Sequence, residues 1–586
     1  MVNEDYDSGE LYKMRHSAAH VMAEAVLKLF PEGKLGIGPP IENGFYYDLD
    51  LPRPLTPDDL AAIEGLMRER MATASPFEFH VVSADEARAL FHDQPYKLEL
   101  IEELAARGEE ISTYHHGDFT DLCRGPHVHD TSRLGAFKLM SVAGAYWRGD
   151  EHNPQLQRVY GALFPTQREL DEYEERLEEA KKRDHRRLGR ELSLFAFSDD
   201  IGAGIPLFLP KGATLRHTME EFVRDVQRRH GYKHVWTGHI AKEELYRRSG
   251  HYELYRDVMF PPMVDEGDVY RLKPMNCPSH MTLFKAELHS YRDLPLRYAE
   301  FATLYRYEKS GTLNGLTRVR SLTQDDCHIF CTPEQVQEEF GRALDVITET
   351  LDSYGFRDYR IDLSLPDLSD MSKYAGDAET WATAERALRE ALDSKGIDYT
   401  PVVGEAAFYG PKADFQARDV LGRQWQLSTI QVDLIQPARL DVQYVGEDGD
   451  RHTPVVLHTA VTGTTERFMG VIIEHFAGAF PVWLAPVQAT VIPIADRHAD
   501  YAHRVARELG DHGLRVEVDD RRERMQARIR DAQLQKVPYM LVVGNNEAAG
   551  GTASVRLRTN EDLGALPLHE VRERMLEAVE TKSLTL

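Results

Sequence analysis

The sequence predicts an α+β protein of several domains, and three observations carry that expectation. The chain is 586 residues long, which at roughly 150 residues per domain is enough for three or four cores. Residues 167–187, QRELDEYEERLEEAKKRDHRR, place Glu and Lys/Arg at i,i+4 spacing with few apolar positions, the pattern of an exposed helix connecting two domains. From Trp483 onward short apolar runs alternate with helical stretches, whereas upstream the strands are aromatic-rich and separated by turns, so the architecture is expected to change there.

Taken in order, residues 11–30 read as a helix whose Val21, Met22, Ala25, Val26, Leu29 and Phe30 form one apolar stripe, stopped by Pro31 and Gly33. Residues 45–49 read as a strand, and 56–74 as a helix after a Thr-x-x-Asp start. Between 192 and 480, strands such as RYAEFATLYRYE and RQWQLSTIQVDLI alternate with long helices, which predicts a mainly antiparallel sheet with helices on it. Beyond Trp483, ATVIPIA, RVEVD, YMLVVG and SVRLRT read as strands and 499–510, 522–535 and 567–580 as helices. That alternation predicts a small three-layer α/β domain.

A hydrophobic content of 42% with 28% charged residues fits a soluble globular chain. The acidic start MVNEDYDSGE has no apolar core, and no apolar run approaches the roughly 18 residues of a spanning helix, so a cytoplasmic protein without a membrane partner is expected. Four cysteines are too few for a disulfide framework and point to thiol chemistry or metal ligation. The net charge of −26 repels phosphate at long range, so any nucleic acid must meet local basic patches.

Several residues could carry chemistry. His16 and His20 sit at i,i+4 on a predicted helix, and DLCRGPH brings Cys123 and His127 four apart. Such a set could be a metal site, an acid/base cluster or a satisfied polar patch. Arg306 in LYRYEKSG falls between strand and loop, and Arg467 in TGTTERFMGV opens a predicted helix after Gly463. Both places suit a phosphate, although a lone arginine is most often a surface ion pair. Cys277 in KPMNCPSH, His328 in QDDCHIF and His458 in VVLHTAV are too far apart for any spacing rule, and alone would read as a structural thiol and two ordinary histidines. Five arginines between 521 and 530 on a predicted helix make either a solvated face or an RNA contact. A Walker A loop, GxGxxG and HIGH- or KMSKS-type signatures are absent.

With GFYYD and PYKLELI beside them, the two histidine-bearing segments resemble the editing domain shared by threonyl- and alanyl-tRNA synthetases. The segments around Arg306 and Arg467 resemble motifs 2 and 3 of class II aminoacyl-tRNA synthetases. The segments holding Cys277, His328 and His458, together with GLTRVRSLTQDD, FYGPKADF, VPYMLVVGNNE and VRLRT, resemble threonyl-tRNA synthetases of the bacterial type, from about residue 10 to the end. Because the likeness begins there, the ubiquitin-like N-terminal module of many relatives is not expected.

The resemblance implies an α+β editing domain (1–165), a linker helix (166–190), a class II catalytic domain built on an antiparallel sheet (191–482) and an α/β anticodon-binding domain (483–586). It implies a homodimer that uses ATP with Mg2+ to activate L-threonine and passes the threonyl group to tRNA(Thr). By the same resemblance Arg306, Arg318 and Arg467 meet phosphates and His251, in SGHYELYRD, helps proton movement. Met275, Gln324, Asp326, Tyr409, Lys412 and Gln431 surround the amino acid, with Asp326 partnering its hydroxyl. One Zn2+ on Cys277, His328 and His458 would leave a position open for the amino group and hydroxyl of threonine.

Valine lacks that hydroxyl, and a site built for it rejects valine by a large factor. Serine keeps the hydroxyl and lacks one methyl, a difference of only about 1–3 kcal/mol, so a second site must hydrolyse seryl-tRNA. His16, His20, Tyr47, Lys97, Asp121, Cys123 and His127 are implied there, by precedent without metal, although the donor types would permit zinc. Arg530, Glu547 and Arg556 are implied at the anticodon.

Three positions depart from the family pattern. Gly238 in VWTGHIA stands where motif 1 usually has proline, Ser428 in QLSTIQVD replaces a glycine and is expected to crowd the sheet, and Lys536 replaces arginine, losing its fork geometry. The competing readings are a prolyl or alanyl synthetase and a catalytically silent RNA-binding paralogue. The proposed metal ligands and the C-terminal domain disfavour the former, and retention of Arg306 and Arg467 the latter.

Overall fold

The computed structural model describes residues 9–150 and 152–586; the acidic residues 1–8 and Glu151 lie outside them. The chain separates into a unit ending at Glu178 and a second from Glu179 to Leu586.

In the first unit the helix Glu10–Leu29 is buried on all sides from Arg15 to Val26, not along one stripe. The small side chains of Ala18, Ala19, Ala23 and Ala25 let neighbours close around it, and the apolar run ends in Leu29, 39% exposed. It packs on the helix Pro57–Ala72, which starts with a reciprocal Thr56–Asp59 capping box. It also packs on an antiparallel sheet ordered Lys34–Leu35, Gly44–Asp50, Gln155–Phe164, Ala136–Tyr146. A second sheet joins Glu78–Val82, Ile111–His116 and Phe119–Leu122.

The charged stretch forms the helix Gln167–Arg183, with only Leu170 buried and i,i+4 pairs such as Arg168–Glu172 and Glu179–Arg183 on its surface. It does not run on to 187. Asp184 caps a new helix, His185–Glu191, by accepting from the Arg186 N–H.

An eight-stranded sheet centres the second unit. Its order is Lys233–His234, Leu296–Tyr305, Ser321–Cys331, Val455–Thr464, Gln424–Asp433, Lys412–Arg418, Tyr359–Leu365, Tyr399–Val403, antiparallel except at the two outermost pairs. Strand alternation sorts the residues. Cys327, Ile329, Leu457, Ile430 and Ala413 face a core shared with the helices Pro210–Arg229, Val336–Ser353 and Ala378–Ser394. The intervening His328, His458, Gln431 and Lys412 therefore face the opposite side.

The C-terminal sheet runs Val516–Val518, Ala489–Pro493, Tyr539–Val543, Thr552–Leu557, Asp562–Pro567, parallel among its first three strands and antiparallel thereafter. Helices Ala499–Gly510 and Leu568–Glu580 cover one face and Met525–Leu534 the other, giving the three layers expected. The strand Asp562–Pro567 escaped prediction because glycine and proline break its alternation. The helix at 525 begins later than expected, so Arg521, Arg522 and Arg524 precede it. Among the described residues no helix is long and apolar enough to cross a membrane.

Candidate active sites

In the first unit all seven residues singled out converge. The helix Glu10–Leu29 supplies His16 and His20, the strand Gly44–Asp50 Tyr47, the helix Pro95–Arg107 Lys97, the strand Phe119–Leu122 Asp121, and the following turn Cys123 and His127. The Cys123 Sγ lies 3.3 Å from both His16 Nε2 and His127 Nε2. Lys97 Nζ is 2.5 Å from Asp121 Oδ1, the Tyr47 hydroxyl donates to Asp121 Oδ2 at 2.5 Å, and His20 Nδ1 is 3.5 Å from that oxygen.

Burial sets the protonation. It lowers His16 to about 4, holds His20 and His127 well below the usual range, and pushes the Cys123 thiol up to about 12. The resting cluster is a neutral thiol among neutral imidazoles. The donor atoms of His16, His20, Cys123 and His127 lie within 4.8 Å of one another, so the set could orient a water or hold a metal. Sequence reasoning missed Ser17, whose hydroxyl meets His127 Nδ1 at 2.9 Å, and Phe77, stacked on the His127 ring. It also missed Glu24, one further turn along the His16–His20 face and bonded to His116 and Arg70. Only the i,i+4 spacing from His20 hinted at Glu24.

In the second unit, residues from four segments form one row across the sheet. His328 pairs directly with His458, His458 with Gln431, and Gln431 with Lys412. Cys277, at the start of the helix Cys277–Phe284, closes the group. Its thiol and the two histidines are buried with donor atoms within 4.8 Å, a fit for a tetrahedral metal with one vacant position. His458 Nε2 meets Asp433 Oδ2 at 2.8 Å, and His328 Nδ1 meets His280 Nδ1 at 2.8 Å, which in turn reaches Glu300 at 3.0 Å. These outer partners leave Nδ1 of His458 and Nε2 of His328 pointing at each other, 3.0 Å apart. Asp433, His280 and Glu300 went unnoticed in the sequence because they mean nothing without the fold; the i+3 spacing of His280 from Cys277 was the one available signal.

Around this group, Tyr409 lies with its ring 4.9 Å from that of His458, and Lys412 pairs with Asp414 at 2.5 Å. Asp326 is on the same strand face as His328, and burial beside Asp325 and Glu300 raises its carboxyl to about 8. Gln324 lies two residues further along, where the pairing with the next strand is irregular. His251 is fully buried, with Nε2 3.2 Å from Cys277 Sγ and Nδ1 2.8 Å from the Ser249 hydroxyl, and burial pushes it down to about 3. Met275 touches the Arg306 guanidinium through its sulfur.

Farther along the same strands opens a cleft of about 490 Å³ lined by Arg306, Asn314, Arg318, Trp425, Thr464 and Arg467. Arg467, in the first turn of the helix Thr465–His475, forms no ion pair among the described residues, and burial lowers its pKa. A half-buried guanidinium with no counter-charge suits an anionic ligand. Arg318 pairs with Glu308 at 3.1 Å.

In the C-terminal domain Arg556 pairs in register with Met540 and so shares the sheet face covered by the helix that carries exposed Arg530. Glu547 stands apart, its carboxylate accepting from the Gly544 N–H at 2.8 Å. Of the arginine run, Arg528 is buried and donates to the Pro493 and Asp519 carbonyls, and Arg521 pairs with Asp519 and Asp531, which leaves Arg522, Arg524 and Arg530 facing solvent. Lys536 has φ +57° just beyond the helix. Ser428 is buried within its sheet, where its hydroxyl donates to the Val461 carbonyl at 2.5 Å. At Gly238 an added Cβ would meet nothing nearer than 3.7 Å, so the backbone there does not demand glycine.

Residues 260–476 match the family described as tRNA synthetase class II core domain (G, H, P, S and T), and residues 488–578 match the anticodon binding domain. Residues 111–160 match the threonyl and alanyl tRNA synthetase second additional domain. The chain is 66% identical over 554 residues to a threonine–tRNA ligase of Rubrobacter xylanophilus, covering 94% of this chain and 86% of that one. It is 53% identical to the threonine–tRNA ligase of Thermus thermophilus, with 96% and 89% covered. Among solved structures it resembles the RNA binding domain of threonyl-tRNA synthetase from Cryptosporidium parvum, with a TM-score of 0.65 and 41% identity over 67% of this chain and 98% of that one. With a class II core, an anticodon-binding domain and two thirds of its residues shared with a curated relative over nearly its whole length, the chain belongs to the threonine–tRNA ligase family.

Proposed function

We propose that this ligase works in two steps, through threonyl-adenylate, and that the first unit hydrolyses seryl-tRNA(Thr). The observation that carries the synthetic reading is the cross-strand row Lys412–Gln431–His458–His328 with Cys277 at its end, and a cleft holding three arginines farther along the same strands. In the first step the threonine carboxylate attacks the α-phosphorus of ATP and pyrophosphate leaves. Arg306 and Arg467, with the Mg2+ that accompanies ATP, neutralise the charge that develops, and Arg318 takes the outer phosphates. Cys277, His328 and His458 would hold Zn2+, which when bound supplies an open position for the amino group and hydroxyl of threonine.

Asp326, on the same strand face as His328, is the partner assigned to the substrate hydroxyl, and Tyr409, Gln324, Lys412, Gln431 and Met275 shape the space around it. In the second step the terminal ribose hydroxyl of tRNA attacks the adenylate carbonyl and AMP leaves. His251 is assigned to proton movement here, its ring held between the Cys277 thiol at 3.2 Å and the Ser249 hydroxyl at 2.8 Å.

For editing, His16, His20, Cys123 and His127 orient a water against the seryl ester, and the Tyr47–Lys97–Asp121 triad supplies fixed charge beside it. Residues 1–165, 166–190, 191–482 and 483–586 are assigned to editing, linkage, catalysis and anticodon binding, the last through Arg530, Glu547 and Arg556. The exposed Trp236 and Ile240 beside Gly238, 75% and 51% accessible, favour a homodimer through the motif 1 surface. The four cysteines, none of them in a disulfide, fit the reducing cytosol.

Pyrophosphate exchange with threonine, serine and valine in parallel tests the reading. Exchange with threonine and weakly with serine, and none with valine, is expected. Exchange with valine at the threonine level would refute it.

A further inference from the structure

We propose that His185, the first residue of the helix His185–Glu191, is a positioning residue for the nucleotide cleft. Its ring fixes the loop that carries Asn314, Thr317 and Arg318. The residue is 2% exposed and both ring nitrogens are engaged. Nδ1 lies 2.6 Å from Glu474 Oε1, and Nε2 accepts from the Leu316 N–H at 3.0 Å. An acceptor role for Nε2 puts the proton on Nδ1, which donates to Glu474. The same carboxylate oxygen accepts from the His185 backbone N–H at 3.0 Å. One imidazole thus joins three segments: the start of the helix His185–Glu191, the loop at 314–318, and the helix Thr465–His475, which also holds Arg467.

The fit is close on both sides. Gly315 has φ +50°, and a Cβ there would lie 2.2 Å from His185 Nε2; a Cβ on Gly470 would sit 3.4–3.6 Å from Thr317, Leu316 and the His185 ring. The contact extends to the cleft wall, because Glu474 Oε2 pairs with Arg423 at 2.6 Å and Arg423 lies over the ring of Trp425. Leu316 faces away from the cleft while Asn314, Thr317 and Arg318 line it, so the Leu316 N–H bond holds the loop from behind. The helix His185–Glu191 is therefore tied to the loop behind the nucleotide cleft by the Leu316 N–H bond.

The inference rests on the cleft being the ATP site, and the experiment separates the two. Pyrophosphate exchange is measured with ATP and threonine varied in turn for the full chain carrying His185→Asn, His185→Gln, Gly315→Ala or Arg467→Ala. Asn reproduces Nδ1 only, whereas Gln places an oxygen where Nε2 stood. Loss of an acceptor for a buried N–H predicts that His185→Asn raises the KM for ATP about tenfold. The KM for threonine should stay within twofold, His185→Gln should restore most of the loss, and Gly315→Ala should reproduce it from the loop side. An ATP KM within twofold of wild type in both His185→Asn and Gly315→Ala, while Arg467→Ala raises it, would overturn the role of His185 alone. An unchanged ATP KM in Arg467→Ala would overturn the assignment of the cleft. If His185→Asn does not fold, Gly315→Ala and His185→Gln decide: a raised ATP KM in the first with near-normal values in the second supports the proposal, and equal rises in both KM values contradict it.

Discussion

His328 and His458 face each other directly on neighbouring antiparallel strands, with Nε2 of one 3.0 Å from Nδ1 of the other. The ring nitrogens turned away are each held by another residue, His280 and Asp433, so both inward-facing nitrogens are directed at one point beside Cys277. That convergence predicts about one zinc per chain by elemental analysis. Cys277→Ser and His458→Ala should lose it and lose threonine activation, and Asp433→Asn should weaken zinc in chelator competition by about 10–100-fold. Full zinc occupancy in His458→Ala would remove this residue from the site.

Arg306 and Arg467 should matter to chemistry more than to folding. Replacing either with alanine should slow adenylate formation by about 10²–10³-fold, the usual cost of one donor aimed at developing charge. Lysine should rescue poorly, because it lacks the planar fork. Full activity in Arg467→Lys would show that point charge suffices there.

Editing and synthesis should separate. The double variant His16→Ala, His20→Ala is expected to form threonyl-tRNA at the wild-type rate and to accumulate seryl-tRNA, which wild type clears. Clearance at the wild-type rate by the double variant would place editing elsewhere.

Anticodon recognition should separate from activation as well. Arg556→Ala is expected to weaken threonylation of tRNA and leave pyrophosphate exchange near normal. Glu547 caps its own helix through the Gly544 N–H, so Glu547→Ala combines a loss of RNA contact with a loss of local order. Glu547→Gln keeps the acceptor and should show the RNA effect alone. An equal loss of both steps in Arg556→Ala would point to folding instead.

The histidine cluster of the first unit makes its stability pH-dependent. His16 titrates near 4 in the fold, and His20 and His127 lie well below the usual value, whereas unfolded histidine titrates near 6.5. The unfolded chain therefore binds more protons below 6.5. Stability is full above that pH and falls as pH drops below it, as the unfolded chain takes up protons that the buried rings do not. Hydrogen exchange of the helix Glu10–Leu29, corrected for intrinsic rates, should lose protection between pH 6.5 and 5. Constant protection across that range would contradict the buried, neutral assignment.

Local order was legible in the chain itself. The capping box Thr56–Asp59, the charged connecting helix and the alternation after Trp483 each depend on residues within a few positions of one another. Short-range chemistry also brought His16 to His20 and Cys123 to His127. Even there the burial of the first helix on every side was hidden, because it depends on what distant elements supply around four alanines.

The row Lys412–Gln431–His458–His328 could not be read from spacing, since its members are up to 130 residues apart and meet through strand register alone. Resemblance named those residues; it did not reveal Asp433, His280 or Glu300 behind them. His185 shows the limit most clearly: in sequence it is one histidine in a charged stretch, and only folding places its two nitrogens between Glu474 and Leu316. A hydrogen bond has a direction and a reach of about 3 Å, and that geometry exists only once the sheet has set the distances between segments.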